Sequence, residues 1–394
     1  MEAATVIKPE HDGTRKHLLF TDEHEDLRES MQAWVQNELW PHRNEWEETT
    51  WPREAMERAG GLGYLGLCFP EEYGGQGGDY YYSLIRAECM SYSGSGGTNM
   101  GFAVQTDMVL PPIHLLGTEE QKQRYLAPGI TGEKIGCLGI TEPGAGSDVA
   151  GIRTQAIKDG DEYVINGSKT FITNGVRADF ILMVAKTDPD AGHNGITLFL
   201  VDTDTPGFRV SRQLEKMGMH ASDTAELAFE DMRVPVDAVL GEVGKGFYHI
   251  SWELQGERMV AAAGSVAGAE RMFEKTLEYA REREAFGRPI GKFQAIRHKF
   301  AEMATKIEAA KQFNYVVAWR YANGEYPVRE ITEVKLFTSR IGCEVADECV
   351  QILGGYGYMK EYEIERAYRD VRLNRIGAGT DEIMLDVIGR SYGL

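Results

Sequence analysis

The run Gly139-Ile140-Thr141-Glu142-Pro143-Gly144-Ala145-Gly146-Ser147-Asp148-Val149-Ala150-Gly151 follows a strand-like stretch and is rich in glycine. A strand that ends in such a loop lets backbone approach a flat ring system and a pyrophosphate closely, because no Cβ intervenes. An ordinary Gly-rich β-turn is the bland alternative. Glu257, taken alone, reads as a solvated helix glutamate. The small, mostly apolar run Met259 to Ala263 beside it argues instead for a helix face pressed against other structure. A carboxylate there would be desolvated and its pKa raised, which suits a general base. The Arg283 fork could donate two hydrogen bonds to a pyrophosphate, or could stand solvated among Arg and Glu as Arg281 does. Gln351 to Gly357 could close a helix with glycines in left-handed geometry; no strand precedes it, as a dinucleotide fingerprint requires. Asp223, in Ser222-Asp223-Thr224, reads as a cap or loop tie.

The elements that must position these residues come in three blocks. Apolar positions such as Leu27, Met31, Trp34 and Val35 give helical periodicity over residues 18–132. Thr21 before Asp22 and Glu23 marks a helix start with an acidic first turn. Over residues 133–241 the signal is β. Tyr163 to Ile165 runs into Asn166-Gly167 and then Ser168 to Thr173, which predicts a hairpin. Phe180 to Ala185, Ile196 to Val201 and Ala225 to Phe229 are further strands. Helical periodicity returns over residues 242–394. One stripe carries Ile296, Phe300, Met303, Ile307 and Ala310, and another Val334, Phe337, Ile341, Val345 and Ile352. Long helices each burying one stripe suggest an antiparallel bundle.

Bulk composition narrows the function classes. The 394 residues are 42% hydrophobic, enough for two or three domains with real cores. No apolar run approaches the ~18 residues needed to cross a bilayer, so no integral membrane segment is expected. A net charge of −19 argues against a nucleic-acid surface. Met1 to Lys16 reads as a flexible leader, neither a secretory signal nor an Arg-rich presequence, on a cytoplasmic protein. Five scattered cysteines, without a CxxC pair or His cluster, imply no metal and a reducing compartment.

Gly139 to Gly151 resembles the first signature of the acyl-CoA dehydrogenase family throughout. Gln351, Gly354, Gly355, Gly357, Tyr358, Glu361, Arg366 and Asp370 resemble the second. Two long patterns in the right order, with a matching domain order from Phe20 to the C-terminus, make the resemblance specific. It implies an α+β acyl-CoA dehydrogenase fold: an N-terminal helical domain, a middle β-barrel-like domain and a C-terminal four-helix bundle. It also implies FAD as cofactor, an acyl-CoA substrate, a homotetramer, and an electron-transferring flavoprotein as acceptor.

Roles follow from the same resemblance. Leu138, Ile140, Thr141, Gly146 and Ser147 would lie along the flavin and its pyrophosphate, with Phe171, Ile172 and Thr173 as a second flavin-facing segment. The family often has Trp where Phe171 stands. Arg283, Phe286, Gln294, Gln351, Gly354 and Gly355 would reach FAD held by a neighbouring subunit, and Thr380 and Glu382 also match cofactor positions. Ser147, Gln255, Arg258 and Gly379 match substrate contacts, with the neighbouring Gly256. Gln105 to Pro112 would form part of the acyl-tail pocket.

Most relatives carry the base in a C-terminal Tyr-Glu-Gly-Thr segment. Here the stretch reads Ile376-Gly377-Ala378-Gly379-Thr380, and Ala378 cannot take a proton. Leu254-Gln255-Gly256-Glu257-Arg258 is similar to the helix on which the isovaleryl-CoA and long-chain branches carry their glutamate. Loss at Ala378 and gain at Glu257 occur together, as relocation of the base predicts. Glu257 is thus the expected catalytic residue, with its backbone N–H expected to polarise the thioester carbonyl. Glu142 and Glu382 rank below it. The rival readings are an oxidase or flavin monooxygenase, and an FAD-binding pseudo-enzyme.

Overall fold

Thr21 begins the first helix, Asp22–Trp34, and the reason is local. Its hydroxyl accepts the His24 N–H, while the His24 ring accepts the Thr21 N–H in return. Asp22, Glu23 and Glu25 face the positive end of that helix. The structure, a computed structural model, describes residues 17–394, so the leader expected over Met1 to Lys16 lies outside the described residues. Helices Tyr80–Met90 and Gly96–Ala103 follow, and Val104–Val109 then widens into a π-turn before Leu110–Leu116. Such insertions are frequent at functional sites.

The middle of the chain forms one eight-stranded sheet. Its strands are β1 (Gly136–Gly139), β2 (Gln155–Asp159), β3 (Glu162–Thr173), β4 (Phe180–Lys186), β5 (Ile196–Asp202), β6 (Phe208–Gln213), β7 (Thr224–Pro235) and β8 (Val239–Leu240). The order is β6-β7-β3-β2-β4-β5-β8, with β1 parallel to β4. β4 is apolar almost throughout because both its faces are covered. Phe180, Leu182 and Val184 pack towards the N-terminal helices, and Ile181, Met183 and Ala185 into the sheet's own core.

The hairpin expected at Asn166-Gly167 does not form. β3 runs straight through it, and the register against β7 slips between Ile165 and Gly167, which marks a bulge. Gly167 adopts φ +154 with Thr154 where its Cβ would be, and Asn166 bonds Asp231 rather than turning the chain. The turn is instead at Gly160, φ +64, between Asp159 and Glu162. The two-residue loop is Gly160-Asp161, with glycine at the first central position, where a type II′ turn wants it, about six residues before the expected place.

Three long helices, Gly246–Glu282, Gln294–Ala322 and Val328–Leu353, with the shorter Asp381–Ser391, complete the chain. Phe300, Met303, Ile307 and Ala310 are buried on one stripe, and Val334, Ile341, Val345 and Ile352 on another. Phe337, expected in the second stripe, is partly exposed and packs at the surface against Phe313. Ala261 to Gly264 are small, which lets the Gly246–Glu282 helix approach Ser91, whose hydroxyl donates to the Gly264 carbonyl at 3.2 Å. Glu257, about two turns earlier on the same helix, is half-buried and faces a cavity.

Candidate active site

Glu257 stands in the interior of the Gly246–Glu282 helix and lines a cavity of about 140 Å³ with Asn99, Met100, Ala103, Val260 and Ala261. Desolvation pushes its carboxyl up to about 7, with Asp107 adding to the rise and Arg258 and Lys335 opposing it. Its N–H is spent on the helix ladder. The expectation that this N–H polarises a substrate carbonyl is therefore corrected, because a mid-helix donor already has its partner.

Two cations fasten the segment at Ala378 beside Glu257. Arg258 is buried and its Nε donates to the Ala378 carbonyl at 3.0 Å. Lys335 is fully buried on the Val328–Leu353 helix, and its Nζ donates to the Gly379 carbonyl at 2.5 Å. The segment needs fastening because Ala378 has φ +56 and Gly379 φ +101. A Cβ at Gly379 would stand 2.5 Å from Met384 Cε. No backbone hydrogen bond is made by the Ala378 N–H among the described residues. Gln255 is buried, and its amide nitrogen is bonded back to Ser251, leaving only its oxygen unpartnered.

Lys335 and Glu253 lie outside the set expected from sequence. Glu253 is 2% exposed, one turn before Glu257, and neither of its oxygens has a hydrogen-bond partner. Its i, i+4 spacing from Glu257 was the available signal. Lys335 gave none, since a lysine beside an apolar stripe ordinarily snorkels outward. Gln105, expected to line the acyl tail, is instead a buried strut. Its side chain bonds the Gly129 and Lys134 carbonyls and the Gly136 N–H, while Asp107 and Met108 line the cavity.

The Gly-rich loop and the second expected segment are laced side by side. The Thr170 N–H donates to the Thr141 carbonyl at 2.9 Å, and Lys169 Nζ to the Ile140 carbonyl at 3.0 Å. Glu142 does not face outward. It accepts from the Arg153 and Thr154 N–H groups and from Lys169. Leu138 is half-buried and Gly146 and Ser147 are exposed. Phe171 is 68% exposed with φ +61, whereas the Ile172 side chain turns into the sheet core, so only its backbone can face a ligand. An exposed aromatic ring beside Thr141, Thr173 and open glycine backbone is a surface that fits a flat, polar-edged ring system such as a flavin.

Arg283, Phe286, Gln294, Gln351, Gly354 and Gly355 form a separate exposed group. Arg283 lies over the Tyr356 ring at 5.6 Å, and Phe286 is 95% exposed. Among the described residues no hydrogen bond, ion pair or ring contact joins this group to the Gly-rich loop. Thr380 caps the Asp381–Ser391 helix by accepting the Ile383 N–H, and Glu382 is exposed in its first turn. Asp223 ties a loop as expected, through the Val176 N–H and Arg177. No group of His, Cys, Asp or Glu among the described residues could hold a metal.

Comparison with known proteins places this geometry. Residues 21–133 match the N-terminal domain of acyl-CoA dehydrogenases, 137–232 the middle domain and 244–393 the C-terminal domain. The mitochondrial long-chain specific acyl-CoA dehydrogenase of Sus scrofa is 41% identical, over 99% of this chain and 90% of its own. The mitochondrial isovaleryl-CoA dehydrogenase of Solanum tuberosum is 38% identical, over 97% and 93%. A crystal structure of acyl-CoA dehydrogenase from Geobacillus kaustophilus superposes with TM-score 0.94 at 43% identity, covering 96% of this chain and 100% of that one. The chain belongs to the acyl-CoA dehydrogenase family. It is an oxidoreductase, and its cofactor is FAD.

Proposed function

We propose that this enzyme converts an acyl-CoA thioester to the trans-2-enoyl-CoA, with Glu257 removing the α-proton. The observation that carries the reading is a cavity-lining carboxyl that burial raises to about 7, next in the chain to Arg258, which holds the Ala378 segment where most relatives carry their base. FAD, when bound, supplies the acceptor for the β-hydride. Leu138, Ile140, Thr141, Gly146, Ser147, Phe171 and Thr173, with the Ile172 backbone, would hold it. The Ala378 N–H is free to polarise the thioester carbonyl, which acidifies the α-C–H enough for a carboxylate to act. Arg258 and Lys335 keep that N–H in place through the Ala378 and Gly379 carbonyls. Their charges also limit how far burial can raise Glu257. Domains at 18–132, 133–241 and 242–394 would supply the tail-side helices, the cofactor loop and the base. Purified protein should carry about one FAD per chain and lose its flavin absorbance anaerobically on mixing with a good acyl-CoA. Folded protein that takes up no FAD, or a flavin that no acyl-CoA bleaches, would sink the proposal.

Electrons would leave to an electron-transferring flavoprotein, and the assembly would be a homotetramer. Support for the assembly is the exposed group around Arg283, where Phe286, Tyr356 and Tyr358 leave apolar surface uncovered. Such a patch suits a neighbour whose FAD it touches, so cofactor and assembly are linked by mass action. Arg283→Ala should therefore lower both flavin content and the tetramer fraction in sedimentation analysis. A stable monomer that keeps its FAD would contradict the assignment. All five cysteines are free thiols, in keeping with a reducing, cytoplasmic compartment.

A further inference from the structure

We infer that a second cavity, behind Glu257, receives a hydroxyl group carried at the distal end of the acyl chain, bound by Glu253, Tyr80 and Arg86. The inference rests on the dehydrogenase reading above and adds the class of acyl group. This cavity, of about 280 Å³, is lined by Tyr80, Arg86, Asp107, His114, Glu253 and Gly256, among others. That is far more than the ~10–15 Å³ that admits a single water.

Most of its wall is apolar, from Leu65, Phe69, Leu115, Trp252 and Val260 among others, but the polar atoms set into that wall are unusual. Tyr80 Oη, Arg86 Nη1, His114 Nδ1 and both oxygens of Glu253 are buried and have no hydrogen-bond partner. Each such atom is costly if left unpaired, and all of these lie on one cavity. An alkyl terminus seated here would leave every one unsatisfied. Burial pushes Glu253 well above the usual carboxylate range, and Glu257 adds to the effect. A neutral Glu253 can both donate and accept, as can a hydroxyl.

Position relates this cavity to the substrate. Arg86, Asp107 and Val260 line both it and the Glu257 cavity. Arg86 and Asp107 are an ion pair buried between them, and Thr106 donates to Asp107 at 3.0 Å. A chain whose α-carbon sits at Glu257 and that extends past this pair would end in the second cavity. The charges there exclude the alternatives. The Arg86–Asp107 pair is already mutually neutralised and Glu253 is raised towards its neutral form, so a terminal carboxylate or ammonium would be desolvated there without a counter-charge of its own. An uncharged group that donates and accepts is what remains.

The test uses the FAD-loaded enzyme and a ladder of matched chains, each with and without an ω-hydroxyl. Binding is read by calorimetry with S-alkyl-CoA thioethers, which have no thioester and cannot be dehydrogenated by the same chemistry. Turnover is read by anaerobic flavin bleaching with the thioesters. At the best-fitting length the hydroxylated member should bind about 10-fold tighter or more, the range a satisfied buried hydrogen bond supports. Glu253→Leu should bring that ratio towards one. Tyr80→Phe, which removes one oxygen, should lower it even if the first variant folds poorly. Because the readout is a ratio, any effect of these changes on Glu257 itself cancels. Unsubstituted chains binding as well at every length would overturn the inference and leave a water-filled cavity. A hydroxyl preference untouched by both variants would overturn it too. If no thioester of either kind bleaches the flavin, the dehydrogenase reading fails, while the thioether binding ratio still decides for or against the subsite.

Discussion

Glu257→Gln is expected to slow the reductive half-reaction by about 10²- to 10⁴-fold, the usual contribution of a positioned general base. Gln keeps the size and polarity of the side chain but cannot take a proton, so FAD and acyl-CoA binding should stay largely intact. The sign of the pH dependence is fixed by the same residue. Burial raises the Glu257 carboxyl to about 7, so the basic form is scarce below that pH and the bleaching rate should rise with pH through neutrality. In Glu257→Gln that limb should vanish from whatever rate is left. A complementary change, Glu257→Gly with Ala378→Glu, should restore part of the rate. Arg258 ties the two positions together through the Ala378 carbonyl, so a carboxylate at 378 would enter the same space. Anaerobic stopped-flow is the measurement. If Glu257→Gln bleaches at nearly the wild-type rate, some other group is the base, and Glu253 becomes the first suspect.

Much of this site was legible in the sequence because it is written in local patterns. The Gly-rich run predicts a strand ending in an open loop, and β1 ends there. The pairing of Ala378 with Glu257 is readable only through the family resemblance, which marks both places where relatives carry the base. Other features depend on packing that no local pattern carries. Asn166-Gly167 looks like a turn, but its neighbours Tyr163, Ile165 and Ile172 are all needed in the sheet core, so β3 passes through and the glycine becomes a bulge. Lys335 looks like a surface residue until the Gly379 carbonyl is seen to lie above it. Gln105 looks like a pocket residue, but three backbone groups from other elements claim its amide.

Lys169→Met should cost about 3–5 kcal/mol of folding stability and loosen FAD, because it removes one partner of a buried ion pair and leaves the other charged. Lys169 is fully buried in β3, with Glu142 Oε1 at 2.8 Å and the Ile140 carbonyl at 3.0 Å. Burial pulls the lysine down to about 8, yet the pair and its hydrogen bonds hold Glu142 below the usual carboxylate range. Both are therefore charged at neutral pH. One side chain thus anchors Ile140 and Glu142, at the start of the Gly-rich loop, to the strand that presents Phe171. Removing it leaves Glu142 with the Arg153 and Thr154 N–H groups, which soften the loss and place the expected value near the lower end of the range. The Ile140 carbonyl loses its donor as well, next to Thr141, so flavin release on dilution should quicken along with the drop in urea midpoint. Lys169→Met combined with Glu142→Gln removes the stranded charge and should recover part of the stability, a coupling that a double-mutant cycle isolates. A stability loss below about 1 kcal/mol for Lys169→Met alone would show that the ion pair is not what holds the loop, and that the hydrogen bond from the Thr170 N–H to the Thr141 carbonyl is enough.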